Sequence, residues 1–212
     1  MIGLKMITNR VEEYLDELYP NPRCELNYTK DYELLIAVVL SAQTTDKRVN
    51  EVTKVLWDRY DLNMLKEANL RDIESILRPI GTFTKKALYI KEIASRLVTE
   101  CNGIVPNDRS YLESLPGCGR KSTNVILSNL FDVPAIAVDT HVERVSKRLG
   151  LAKENDIVFE VEKKLMKKFK KDVWSKRHHQ LVLFGRYKCK AIKPECNSCK
   201  LNDICKYKKR ID

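Results

Sequence analysis

The sequence has no apolar run long enough to cross a bilayer. Its longest, LLIAVVL at 34–40, falls far short of the roughly 20 residues a spanning helix needs. The opening MIGLKMITNRVEEYLDEL is charged and amphipathic, which sets the expectation of no cleavable leader. Together these set the expectation of a soluble, intracellular protein with no membrane partner. Alternation at period two is not sustained anywhere. Only short pieces such as AIAV at 135–138 qualify as strands, which excludes sheet sandwiches and barrels. There is no internal repeat, and no low-complexity segment beyond the lysine-rich end.

Acidic residues are in deficit: 29 Asp and Glu against 39 Lys and Arg, for a formal net charge of +10. The imbalance is concentrated at the C-terminal end, where 171–212 holds 12 basic and 4 acidic residues. These basic residues interleave with cysteines, aromatics and helical patterns. That arrangement favours a folded basic surface over a solvated tail and makes nucleic acid the expected partner.

What is present is helix. DYELLIAVVLSAQ, DKRVNEVTKVLWDRY and KKALYIKEIASRLVTEC carry apolar residues at three- and four-residue spacing. Similar patterns run over 139–149, 155–169 and 174–188. PNP at 20–22, Pro79-Ile-Gly81, Asn102-Gly103 and VPND at 105–108 punctuate them. The fold class predicted is all-α, in two lobes.

Four of the seven cysteines fall close together: Cys189, Cys196, Cys199 and Cys205, spaced C-x6-C-x2-C-x5-C. In a reducing compartment four such thiols read as a soft-metal site rather than a disulfide framework. The spacing by itself leaves zinc and iron–sulfur equally open. Either would pin Lys190, Lys193 and the KYKKR segment at 206–210 beside it as a basic surface. Cys24, Cys101 and Cys118 read as ordinary thiols.

The segment LPGCGRKSTNV at 115–125 breaks a local rule. Gly117 and Gly119 make a turn that opens a helix, and Arg120 and Lys121 place cations at the end of a helix that favours anions. With Leu112, Leu115 and a cap at Asp108 before it, the pattern is helix, hairpin, helix. Its exposed amides suit a phosphate and grip a backbone without reading sequence. Lys121 fits two roles there: phosphate contact, or an amine nucleophile favoured by the helix dipole and by Arg120. VDTH at 138–141 supplies an acid/base candidate in Asp139, whose plainer role is a helix cap. His141 alone reads as structural, and His178 and His179 as surface or packing residues.

LPGCGRKSTNV, VDTH and the cysteine run, in this order, resemble the endonuclease III family of helix–hairpin–helix DNA glycosylases. ELLIAVVLSAQTTD at 33–46 and FGRYKC at 184–189 extend the similarity to roughly 25–207. The resemblance implies that Lys121 attacks C1′ of a damaged nucleoside, expels the base and forms a Schiff base, with β-elimination nicking the strand. Asp139 is implied as the essential carboxylate, and the four cysteines as ligands of a [4Fe–4S] cluster. Gln43 is implied to fill the gap left by the extruded nucleotide. Gly117, Gly119, Arg120, His141, Lys190 and Lys193 are implied as contacts to double-stranded DNA carrying a damaged or abasic site.

The family's lobes would be 24–134, a six-helix barrel with the hairpin, and 1–23 with 135–212, holding the cluster loop at 189–205. The active-site cleft is implied to lie between them. A monomer acting at the nucleoid in the cytoplasm is the corresponding expectation. Adenine glycosylases carry a catalytic glutamate about where Ala37 stands and lack the lysine, and mismatch-thymine glycosylases usually lack the lysine too. A bifunctional enzyme for oxidised pyrimidines is therefore the better match. A monofunctional mismatch glycosylase, a non-catalytic hairpin binder and an electron-transfer protein remain as alternatives. Thr82 stands where relatives place an aliphatic wedge, with Phe83 beside it.

Overall fold

The computed structural model describes residues 4–207. Lys208, Lys209 and Arg210 of the basic segment lie outside the described residues. Every regular element among the described residues is helical, as predicted, and AIAV is an extended connection without strand pairing. The chain divides into two units, one from 24–131 and one from 1–23 with 132–212.

The 24–131 unit holds α2 (Asp31–Leu40), α3 (Asp46–Arg59), α4 (Leu62–Glu67), α5 (Leu70–Leu77), α6 (Phe83–Cys101), α7 (Arg109–Ser114) and α8 (Arg120–Leu130). Helix α2 is buried on all sides from Tyr32 to Leu40, which explains an apolar run with no polar face. It packs on α6 and α8, while α4 and α5 pack against α6. Side-chain caps start most of these helices. Thr45, Asp61, Asn69 and Asp108 each accept from first-turn amides, satisfying donors the helix itself cannot. Helices α4 and α5 were not legible in the sequence. At 6 and 8 residues they are too short for their periodicity to stand out.

The other unit holds α1 (Leu4–Leu18), α9 (Thr140–Arg148), α10 (Val158–Lys168) and α11 (Trp174–Leu183). Its core includes Val11, Leu15, Val142, Val145, Leu165, Leu181 and Phe184. A polar knot joins α1 to α11. Buried Arg177 donates to Asp16 at 2.8 and 2.9 Å and to Glu12 at 3.2 Å, and fully buried Gln180 donates to the Leu15 and Tyr19 carbonyls. The Arg177 guanidinium holds the Asp16 carboxyl well below the usual carboxylate range. The pattern over 174–188 predicts one helix, whereas α11 stops at Leu183 and a π turn follows over Phe184–Lys188. Gly185 lies within this turn. A Cβ on it would lie 2.8 Å from His141 Cβ and 3.2 Å from the α9 backbone, so the chain passes α9 closely only without a side chain.

Candidate active site and cysteine pocket

The hairpin is built as the sequence suggests. Asp108 caps α7, accepting from the Ser110 and Tyr111 amides at 2.8 and 3.2 Å. Leu115 and Cys118 are buried on either side of the turn, and the Cys118 amide donates to the Leu115 carbonyl at 3.1 Å. Gly117 sits at φ 75°, and a Cβ there would meet Tyr89 at 2.8 Å and Val39 at 3.0 Å. Both backbone conformation and space therefore demand glycine. Gly119 differs: its φ is −85° and its surroundings are open. Its contribution is the missing side chain, because as N-cap of α8 it offers no capping oxygen. Arg96, donating to the Ser114 carbonyl at 3.0 Å, and Arg109, donating to Asn124 Oδ1 at 2.8 Å, hold the hairpin in place.

Arg120 and Lys121 are exposed at the first two positions of α8. The first-turn amides, which the N-cap glycine cannot cap, face the same end of the helix. Such an end attracts an anion, and an exposed primary amine stands beside it. Gln43 is exposed in the same unit, at φ 56° in the connection after α2. Ala37 is fully buried within α2, so no carboxylate occupies that position.

In the other unit, half-buried Asp139 is the N-cap of α9. Its Oδ1 accepts from the His141 and Val142 amides at 2.9 and 2.8 Å. The plain capping role is thus real, and it fixes the orientation of the carboxylate while leaving Oδ2 outside these bonds. His141 follows in the first turn, with Arg144 contacting its Nδ1 at 3.3 Å. Burial pushes the His141 imidazole below its ordinary range, with the charge of Asp139 opposing.

The four clustered cysteines line one pocket with Leu149, Phe184, Pro194 and Tyr207. Among the described residues no three His, Cys, Asp or Glu side chains are gathered tightly enough to hold one metal ion. Four thiols around one pocket are a soft donor set, of the kind that zinc and iron–sulfur clusters both take. Burial raises the Cys189 thiol, with Arg148 opposing, and burial raises Cys199 too.

Two arginines that the sequence did not single out anchor this loop. Arg144 donates to the Gly185 carbonyl at 2.7 Å and to the Cys189 carbonyl at 3.1 Å. Arg148 donates to the Lys190 and Ala191 carbonyls at 2.7 and 3.2 Å, reaches Cys189 Sγ at 3.5 Å and lies over the Tyr207 ring. Lys190 is exposed and pairs with Glu195 at 2.9 Å, whereas Lys193 is exposed at φ 50°.

Comparison with known proteins converges on one family. Residues 36–171 match the HhH-GPD superfamily base excision DNA repair protein family. Over its whole length the chain is 44% identical to endonuclease III of Bacillus subtilis, covering 97% of that protein. It superposes on endonuclease III in a non-covalent complex with DNA at a TM-score of 0.95, with 46% identity and 99% and 98% of the two chains covered. A trapped covalent endonuclease III–DNA intermediate gives 0.91, with 48% identity and 96% and 98% covered.

Proposed function

The chain belongs to the endonuclease III family of the HhH-GPD superfamily, and from that premise we propose that it is a bifunctional DNA glycosylase and AP lyase that removes oxidised pyrimidines. Lys121 supplies the nucleophile. Its amine forms a bond to C1′ as the glycosidic bond breaks, and the base leaves with the bonding pair. The sugar opens to a Schiff base. Loss of a C2′ proton then breaks the bond from C3′ to its oxygen and nicks the strand. Asp139, its carboxylate held by two amides, offsets positive charge developing on the sugar and accepts protons.

The observation that carries this reading is an exposed lysine amine at a helix start left open by glycine. A phosphate-only role for Lys121 does not need the carboxylate built at Asp139. The hairpin, through Gly117, Gly119 and Arg120, would take the DNA backbone of a duplex bearing a damaged or abasic site. His141, Lys190 and Lys193 would add contacts, and Gln43 would fill the space of the extruded nucleotide. Cys189, Cys196, Cys199 and Cys205 would hold a [4Fe–4S] cluster, a reading supported by four soft donors around one pocket. That group supplies cross-linking of the loop, and the catalytic steps belong to the protein's own side chains. The enzyme would work as a monomer on the nucleoid.

The test is borohydride trapping on a duplex carrying thymine glycol. A covalent adduct in the wild type, absent in Lys121→Ala and Lys121→Gln, is the expected result. Base release without an adduct would replace this reading with a monofunctional glycosylase. Binding with neither would leave a DNA-binding protein. Iron and sulfide content with visible charge-transfer absorbance tests the cluster, and stoichiometric zinc would overturn it.

A further inference from the structure

We propose that Lys86 is a positioning residue that presents Gln43 to DNA by locking the backbone on both sides of it. The inference rests on the reading of Gln43 as the residue that fills the helix gap. Lys86 lies one turn into α6 and is only 4% exposed. Its ammonium donates to the Ala42 carbonyl at 2.8 Å and to Thr44 Oγ1 at 2.9 Å. These are the residues immediately before and after Gln43. The Thr44 hydroxyl also donates to the Ala42 carbonyl at 3.3 Å, and the Thr44 amide to the Ser41 carbonyl at 3.0 Å. Gln43 itself is left exposed in the left-handed region, a conformation that non-glycine residues hold only when their surroundings impose it.

The same residue reaches a second exposed turn. The Lys86 amide donates to the Thr82 carbonyl at 3.0 Å, and Thr82 is also left-handed, at φ 56°. One lysine therefore joins the turn carrying Thr82 to the loop carrying Gln43. Packing does not require a charge here. Burial lowers the Lys86 ammonium from its ordinary range, and no carboxylate opposes it. A buried cation matched only by neutral oxygens is costly for folding, and methionine would fill a similar space. What methionine cannot do is donate to the backbone around Gln43. A loop already held in its inserted shape loses less freedom on entering the duplex, so Lys86 should matter where a nucleotide leaves a stacked helix and not where no helix exists.

Two substrates separate these cases: a duplex carrying thymine glycol, read by single-turnover base release, and a single-stranded oligonucleotide carrying an abasic site, read by borohydride trapping. Lys86→Met should lose roughly 10-fold to 100-fold on the duplex, the scale of a small misplacement, while trapping on the single strand stays within about 2-fold of wild type. Thr44→Val, which removes one acceptor and leaves the lysine in place, should fall in the same direction by less. In Gln43→Ala, adding Lys86→Met should cost little more, because the two act through one loop. Equal losses on both substrates, or additive losses in the double variant, would overturn the proposal and leave Lys86 a structural residue. So would an unchanged duplex rate. A wild type that gives no trapped adduct on the single strand would overturn the lyase reading itself, and the wild-type arm reports that separately from the variants.

Discussion

Helix α8 starts on a glycine that offers its first-turn amides no side chain, whereas α9 starts on an aspartate that fills them. The backbone of any helix start presents donors without intrahelical partners and the positive end of the dipole. The sequences of α8 and α9 put that field to opposite uses. At α8 the cap residue itself fills none of the amides, and two exposed cations stand in the same turn. At α9 a carboxylate of the protein's own accepts from two of the first-turn amides. A helix start is therefore a resource that the cap residue either spends internally or leaves to a ligand. Reading which was done separates a binding surface from a reacting group.

The sharpest break of this comparison is at α9. Asn caps a helix about as well as Asp, so Asp139→Asn keeps the geometry and removes the charge. Base release from a duplex should fall by roughly 10²-fold to 10⁴-fold, with DNA affinity and thermal midpoint unchanged. Single-turnover kinetics and a melt on the same preparations check this, and an unaltered rate would reduce Asp139 to a cap. Asp139→Ala should lose about 0.5–2 kcal/mol of stability in addition, visible as a lower urea midpoint.

Acid should distinguish the units that carry the two helix starts. All three histidines, His141, His178 and His179, lie in the unit of α9. Burial, with Arg186 adding to it, pushes the His179 imidazole down to about 4, and His141 is lowered as well. A folded-state value below the usual 6.5 means that the unfolded chain takes up a proton first as pH falls. Stability is full above about 6.5 and is lost between there and about 4, by up to about 3 kcal/mol for His179. Trp174 reports this unit and Trp57 the other. Urea titrations at pH 7 and pH 5 on Trp57→Phe and Trp174→Phe should show the Trp174 transition moving further. His179→Gln should reduce that movement, and a movement left unchanged would assign the acid loss to carboxylates.

Glycine substitutions probe the two starts at a smaller scale. Gly117→Ala forces a side chain against Tyr89 and Val39 at a positive φ, and Gly185→Ala drives one into His141 and the first turn of α9. Each should cost about 1–3 kcal/mol by overpacking. Gly119→Ala meets open space at an ordinary φ, so its cost should stay within about 1 kcal/mol, the worth of a cap. Thermal midpoints order the three, and a Gly119 variant as damaged as Gly117→Ala would show that the open start is a folding requirement instead of a binding one.

The sequence was informative where chemistry is local. Buried α2, the Asp108 cap, the hairpin turn and the Asp139 cap are each written in adjacent residues, and so is the cysteine spacing. It was silent where partners are distant in the chain. Arg144 and Arg148 show only helical spacing until α9 is seen beside the loop at 189–191. Lys86 reads as one more lysine on an amphipathic helix until its ammonium is found against Ala42 and Thr44. Local periodicity carried the helix through 188, but not the change from α to π winding over 184–188. The short helices α4 and α5 fell below what periodicity can register.

The contrast between groups already engaged and groups left open extends to the lysines of the cysteine loop, where the expected effect is smallest. Lys190 is paired with Glu195, while Lys193, equally exposed, has no ion pair among the described residues. A lysine that meets a phosphate releases about one counterion, so removing it lowers the slope of log affinity against log salt by about 1. Lys193→Ala should approach that change. Lys190→Ala should fall short of it, because binding must first draw the ammonium from Glu195. Glu195→Gln should then raise affinity at low salt and bring the Lys190→Ala effect up to that of Lys193→Ala. Affinities for one duplex over a salt series read all three variants. Equal slopes for the two lysines with Glu195 intact would mean that this surface ion pair is too weak to matter, as exposed pairs often are.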